Sequence, residues 1–169
     1  RRIAAAAGQA ERAGAACIML TAFTAHFAAD AVRRAIMVPL FDAGDALAEI
    51  CLERGYARVG LLGTAFTLAD GHVAARLNAC GIDAILPRDD LAARIDAVIR
   101  EDLTEGAVTA RAGEALDEAV ADLAQRGAPA VALACTELPL LLPRAAPVPL
   151  INGVEAHVAH VLNALEKDI

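Results

Sequence analysis

Residues 57–86 read ARVGLLGTAFTLADGHVAARLNACGIDAIL, and the order of their parts decides the fold class. The run 57–62 is mostly apolar and of strand length, and the stretch 67–79 has the apolar spacing of a helix. Gly81 ends that helix before a second apolar run at 82–86. Two strands separated by a helix form a βα unit with parallel strands. Because the apolar residues do not alternate with polar ones, both strands are predicted to be covered on both faces.

The same alternation of apolar runs and amphipathic stretches extends over the rest of the chain. Gly14, Gly55 and Gly127 follow helical stretches and precede the next apolar run, as helix C-caps before strands do. The pattern predicts an α/β fold of parallel sheets with helices on both faces. The further strands are predicted at 16–20, 38–41, 130–134 and 148–151, and the further helices at 3–13, 24–35, 42–54, 91–103, 109–126 and 154–165.

The composition argues against several classes of function. Hydrophobic residues make up 57% of the 169 residues, so a sizeable core is available and disorder is not expected. The net charge of −7 argues against binding to nucleic acid or to an anionic membrane surface. No uncharged apolar run approaches the roughly 18 residues that a membrane-spanning helix needs.

The four cysteines, Cys17, Cys51, Cys80 and Cys135, lack CxxC spacing. They match neither a zinc site nor a secreted disulfide scaffold, so we expect reduced thiols, a cytoplasmic location and no metal site. Cys135 ends an apolar strand and is predicted to open a helix. The positive end of a helix lowers the pKa of a thiol, so Cys135 is expected to be alkylated first. Its position alone leaves a purely structural role open.

A threonine stands at three places where a predicted strand turns into a predicted helix, namely Thr24, Thr64 and Thr136. Ligands of open parallel sheets bind at the carboxyl ends of the strands, where helix N-termini offer free N–H groups. Three hydroxyls at one sheet edge favour a site for a carboxylate or a phosphate. The alternative is that each threonine only caps its own helix.

Several segments resemble the aspartate/glutamate racemase family, whose members racemise amino acids without a cofactor. Residues 132–141, ALACTELPLL, are similar to the G-C-T-E-L-P motif of that family. Residues 59–67, VGLLGTAFT, are similar to its V-G-L-L-G-T-x-x-T motif, and residues 14–26 fit the frame of its G-A-D-x-I…C-N-T-A-H motif. The resemblance covers essentially the whole chain.

The resemblance implies two similar lobes with a cleft between them. Residues 56–147 would form the second lobe, and residues 1–55 part of the first, completed by residues 148–169. The opening strand and glycine-rich loop of the family would precede Arg1, so the first lobe is expected to be incomplete. An incomplete sheet exposes an apolar edge, so either upstream sequence is missing or a partner chain covers that edge, and for the latter case we expect a homodimer.

The resemblance also implies the chemistry of the site. Two opposed acid/base groups remove and return the α-proton of an amino acid, and Cys135 corresponds to one of them. Thr24, Thr64 and Thr136 match positions that hold the substrate carboxylate. Glu137 would bind the substrate amine or tune Cys135, or else stabilise a helix N-terminus. The expected ligand is a small carboxylate or an aspartate- or glutamate-like amino acid, and no cofactor is expected.

One departure from the family motif affects the expected activity. Ala22 and Phe23 stand where the family has Cys-Asn, and Ala22 cannot transfer a proton. His26 is expected to be structural, so racemisation by two bases should be impaired. Two other functions stay open. One is a single-cysteine decarboxylase of the arylmalonate decarboxylase type, and the other is a catalytically silent carboxylate-binding subunit.

Overall fold

A computed structural model of the chain describes residues 1–167. Helices and strands alternate along the chain, with short 3-10 segments at Phe23–Ala28, Leu103–Glu105 and Leu138–Leu141. The strands are β1 (Ile18–Met19), β2 (Leu40–Phe41), β3 (Arg58–Gly63), β4 (Asp83–Ile85), β5 (Val131–Ala134) and β6 (Leu150–Asn152). The helices are α1 (Arg2–Arg12), α2 (Ala29–Arg33), α3 (Ala43–Glu53), α4 (Ala65–Asp70), α5 (His72–Ala79), α6 (Asp89–Glu101), α7 (Ala110–Gln125) and α8 (Gly153–Lys167).

The strands form two parallel sheets. β1 pairs with β2, and the other sheet has the strand order β4-β3-β5-β6. In the larger sheet, Leu62 of β3 lies opposite Leu133 of β5, and Gly63 lies opposite Ala134. The predicted α/β fold with parallel sheets is therefore confirmed.

Helices cover both faces of the four-stranded sheet. Val59 and Leu61 of β3 point to the face packed by α3, α5 and α8, whereas Leu62 points to the face packed by α6 and α7. All three side chains are buried. This burial on both faces explains why the strands lack the polar alternation of a half-exposed sheet.

Two predicted helices differ from the structure. The stretch 24–35 forms the 3-10 segment followed by the short helix α2. The stretch 67–79 forms two helices, α4 and α5, because Gly71 between them has a φ of 74°. That left-handed conformation suits glycine and ends α4.

The C-terminal segment divides its contacts between two parts of the structure. β6 pairs in parallel with β5, with Ile151 opposite Ala132, so this strand belongs to the four-stranded sheet and not to the β1–β2 sheet. The expected completion of the first lobe by residues 148–169 stays a proposal. The following helix α8 packs on α3. The division into residues 1–55 and 56–147 stays a proposal.

A buried carboxylate joins three of the helices. Asp42 is fully buried at the N-cap of α3, where it accepts a hydrogen bond from the Gly44 backbone N–H at 2.9 Å. It also accepts from Arg33 of α2 at 2.7 Å and from His72 of α5 at 2.8 Å. Burial by itself would raise the pKa of Asp42, but the hydrogen bond from His72 and the nearby histidines hold that pKa well below its usual range. The same hydrogen bond raises the pKa of His72.

We predict that Asp42→Asn lowers the free energy of unfolding by about 3 kcal/mol, since it leaves the half-buried Arg33 and His72 without the fully buried counter-charge. The matched control is Asp45→Asn on the same helix, which breaks a more exposed pair with Arg76 and should cost under about 1 kcal/mol. Urea denaturation measures both. Equal losses for the two variants would contradict a special role for Asp42.

The pH dependence of this cluster has a definite sign. Because the pKa of His72 is raised in the folded protein, its contribution to stability is present below about pH 6.5 and is lost as the pH rises through the folded pKa. The difference in stability between wild type and His72→Gln should therefore shrink above that pH. A difference that stays constant between pH 5 and pH 9 would contradict the assignment.

Candidate functional site

The strands β3 and β5 end side by side, and the site lies just beyond them. Gly63 ends β3 opposite Ala134 of β5. A Cβ atom on Gly63 would lie 2.8 Å from the Ala134 carbonyl oxygen, so only glycine permits this approach. The next residues along the two strands, Thr64 and Cys135, are thereby brought together.

A cavity of about 150 Å³ lies at this edge, closed on one side by the chain that follows β1. The structure brings all five predicted site residues, Thr24, Thr64, Cys135, Thr136 and Glu137, into its lining. The full lining is Ala22, Phe23, Thr24, Thr64, Thr67, Ala134, Cys135, Thr136 and Glu137. A larger open depression of about 760 Å³ beside residues 142–150 contains none of the predicted site residues.

The three threonines differ in their local structure. Thr64 is the N-cap of α4, and its Oγ1 accepts a hydrogen bond from the Thr67 backbone N–H at 3.1 Å. Thr24 does not cap a helix, because the 3-10 segment begins one residue earlier, at Phe23. Thr136 does not cap a helix either, since the 3-10 segment after β5 begins only at Leu138. Thr67, which the sequence analysis did not select, is the second threonine of the G-T-x-x-T pattern and its hydroxyl lies 3.0 Å from that of Thr64.

Cys135 is a buried thiol that is hydrogen-bonded to a carboxylate. Its Sγ donates to Glu137 Oε2 at 3.0 Å, and the Thr136 hydroxyl donates to the same oxygen at 2.7 Å. Burial and the hydrogen bond to Glu137 raise the pKa of Cys135 to about 12. Backbone N–H groups of Glu137 and Leu138 oppose this shift and lower the pKa by a smaller amount.

The predicted low pKa of Cys135 is therefore wrong. No α-helix starts at this residue, because only the four-residue 3-10 segment Leu138–Leu141 follows the strand. A short segment that begins three residues later provides little helix dipole, while the Glu137 carboxylate favours the protonated thiol. Exposure also argues against the expected order of alkylation, since Cys135 is 3% exposed whereas Cys80 is exposed.

The wall formed by the chain after β1 carries no second thiol. Ala22 lines the cavity at the position of the first family cysteine. His26 does not line it: the ring is 1% exposed, with Nδ1 3.1 Å from the Ala22 carbonyl oxygen. Its Nε2 accepts from the Ala43 backbone N–H at 3.1 Å. The structure therefore places His26 in a structural role, as expected.

The remaining histidines are engaged elsewhere. His157 hydrogen-bonds to the Phe41 carbonyl oxygen, and His160 pairs with Glu49. Within residues 1–167, no group of three or more His, Cys, Asp or Glu side chains is placed to hold a metal ion. None of the described helices is long and apolar enough to cross a membrane.

The comparisons with known proteins agree with this geometry. The family model for Asp/Glu/hydantoin racemases matches residues 1–161. The crystal structure of a protein from Yersinia pestis assigned to the Asp/Glu racemases has 31% sequence identity and a TM-score of 0.87, over 96% of this chain and 72% of that one. An aspartate racemase homologue from Pyrococcus horikoshii OT3 has 30% identity and a TM-score of 0.84, over the same shares of the two chains.

A more distant structure shares the fold alone. The glutamate racemase of Francisella tularensis, solved in complex with D-glutamate, has 15% identity and a TM-score of 0.70. The match covers 98% of this chain and 62% of that one. With two solved structures at 30% identity or more and a family model spanning nearly the whole chain, the resemblance of the motifs is confirmed: the chain belongs to the Asp/Glu/hydantoin racemase family.

Proposed function

We propose that the cavity binds a small amino acid of the aspartate/glutamate type and that Cys135 exchanges the proton at its Cα atom, without a cofactor. The observation that carries the proposal is the Cys135–Glu137 hydrogen bond inside a cavity lined by threonine hydroxyls. A thiol that can lose and regain its proton is a candidate acid/base for carbon. Hydroxyl donors around the same space suit a carboxylate.

The threonines supply the donors for the substrate carboxylate in this proposal. Thr24, from the chain after β1, and Thr64, from the end of β3, both line the cavity. Donors at this place stabilise the negative charge that spreads onto the carboxylate when Cα loses its proton. Thr136 acts indirectly, because its hydroxyl already donates to Glu137.

Glu137 links substrate binding to the state of the thiol. Both recorded hydrogen bonds of its carboxylate go to Oε2, which leaves Oε1 available for the substrate ammonium group. An ammonium charge beside Glu137 would offset the carboxylate charge that now raises the pKa of Cys135. With that charge offset, the thiol loses its proton to solvent, the resulting thiolate takes the Cα proton, and the same sulfur can return a proton to that face.

Ala22 sets the limit of this chemistry. Racemisation by two thiols needs a second cysteine on the other face of the carbanion, and Ala22 stands at that position. We therefore propose exchange at one face, with slow racemisation. A decarboxylase of the arylmalonate type would use the same single cysteine, and a silent binding subunit would use only the hydroxyls.

We also propose that the chain forms a homodimer. The outer edge of β1 has no strand partner within residues 1–167. An apolar groove of about 390 Å³ runs between α1 and β1, beside that edge. Unpaired apolar edges favour association with another chain.

We predict that the protein places solvent deuterium on the Cα atom of aspartate faster than it racemises it. Cys135→Ser should lower the exchange rate by about 10²-fold or more, since the base is removed, while Cys80→Ser leaves it unchanged. Proton NMR in D₂O with each enantiomer measures both rates. Bound but unexchanged aspartate would favour the silent subunit, and release of CO₂ from an arylmalonate would favour the decarboxylase.

The missing donor can be restored. We predict that Ala22→Cys combined with Phe23→Asn raises aspartate racemisation by about 10²-fold, because both faces then carry a thiol. Ala22→Ser with Phe23→Asn is the matched control, since its hydroxyl has nearly the same size and is a far weaker acid. Circular dichroism follows the reaction. Equal rates in the two double variants would show that the absent thiol is not the main defect.

The hydrogen bond between Cys135 and Glu137 also leads us to predict how fast each cysteine is alkylated. In wild type at pH 8, iodoacetamide should label Cys80 well before Cys135. Glu137→Gln should lower the pKa of Cys135 and accelerate its labelling by about tenfold for each pKa unit. Mass spectrometry of the cysteine peptides gives the rates, and Cys80 is the internal control. Unchanged labelling of Cys135 in Glu137→Gln would mean that the carboxylate does not hold the thiol proton.

A further inference from the structure

We infer that His26 is a positioning residue of the cavity, whose neutral ring fixes the Ala22 carbonyl group and with it the wall formed by residues 22–24. The inference rests on the proposed function only in treating this cavity as the binding site. His26 itself does not reach the cavity, so it acts through the backbone that it holds.

The two hydrogen bonds of the ring determine its protonation state. The Ala22 carbonyl oxygen can only accept, so Nδ1, at 3.1 Å, carries a proton. The Ala43 backbone N–H can only donate, so Nε2, at 3.1 Å, carries a lone pair. A ring with one donor and one acceptor nitrogen is neutral and has a single tautomer.

The ring connects the cavity wall to the base of α3. In a 3-10 segment, residues three apart lie on the same side. Phe23 and His26 therefore lie on one face of the segment, with their ring centroids 6.1 Å apart. Phe23 lines the cavity, and Ala43 is the first residue of α3. The wall is therefore held from behind by a helix that does not itself line the cavity.

The surrounding charges are consistent with a neutral ring. Asp42 Oδ1 lies 4.0 Å from Nε2, but that carboxylate already pairs with Arg33 and His72. The ring of His72, whose pKa is raised, lies 5.8 Å from that of His26, so a positive charge on His26 would be repelled. Burial lowers the pKa of His26.

Two substitutions separate the two hydrogen bonds. The amide nitrogen of asparagine can take the place of Nδ1, so His26→Asn can keep the bond to Ala22 and loses the one to Ala43. The amide oxygen of glutamine can take the place of Nε2, so His26→Gln can keep the bond to Ala43 and loses the one to Ala22. His157→Gln removes another buried ring of the same cluster that does not bond to the wall.

The test uses the whole chain and needs no turnover. Long-range ¹H–¹⁵N spectra of wild type at pH 7 should show His26 with a protonated Nδ1 and an unprotonated Nε2. His26→Gln should shift the amide signals of residues 22–24 and speed the alkylation of Cys135 by iodoacetamide about tenfold, as loss of one buried hydrogen bond allows. His26→Asn and His157→Gln should both keep the wild-type amide signals of residues 22–24 and the wild-type rate of Cys135 alkylation.

Three results would overturn the inference. The first is a His26 ring in wild type that is protonated at Nε2 or at both nitrogens. The second is equal effects of His26→Asn and His26→Gln. The third is that His157→Gln causes the same changes as His26→Gln, which would mean that they follow from loss of stability alone. If His26→Gln does not fold, the inference is tested by the tautomer of His26 in wild type and by the amide signals and Cys135 alkylation rate of His26→Asn. Failure of the proposed function has a different signature, the absence of Cα exchange in wild type with the His26 signals as expected.

Discussion

The close approach of two strand ends is the constraint on which the site depends. With hydrogen at Cα, Gly63 lets β3 run against the Ala134 carbonyl of β5, where a Cβ atom would lie at 2.8 Å. The residues that follow, Thr64 and Cys135, are consequently separated by one strand spacing. A bulkier residue at position 63 would push the strands apart and disturb this edge of the cavity without any change in the side chains that line it.

Much of the fold can be predicted from the sequence because its signals are local. Apolar runs that lack alternation, such as 130–134, indicate buried parallel strands, and glycines after the helices mark their ends. Other features depend on contacts between distant segments. The place of β6 next to β5 is set by hydrogen bonds across the sheet, and nothing in residues 148–151 specifies that partner. The break between α4 and α5 is marked in the sequence only by Gly71, and it is hard to predict because the apolar spacing on both sides of that glycine is helical.

The site, too, has features that the local sequence predicts and features that depend on contacts between distant segments. The positions of Thr64, Cys135 and Glu137 follow from motif and strand order, and the structure brings them to one cavity. The pKa of Cys135 could not be predicted in this way, because it depends on burial and on which oxygen the thiol meets. The end of an apolar strand at Cys135 predicts the start of a helix there, yet only the 3-10 segment Leu138–Leu141, which contains Pro139, follows the strand. Without a helix dipole to oppose them, burial and the nearby carboxylate raise the pKa of the thiol.

The protonated state of Cys135 has a consequence for the durability of the protein. Peroxides oxidise thiolates far faster than thiols, and burial together with the hydrogen bond to Glu137 keeps Cys135 protonated at neutral pH. The sulfur is therefore protected from sulfenic acid formation. Cys80 lacks this protection, because it is exposed and lies outside the cavity. The burial and the contact that keep the thiol protonated thus also preserve it.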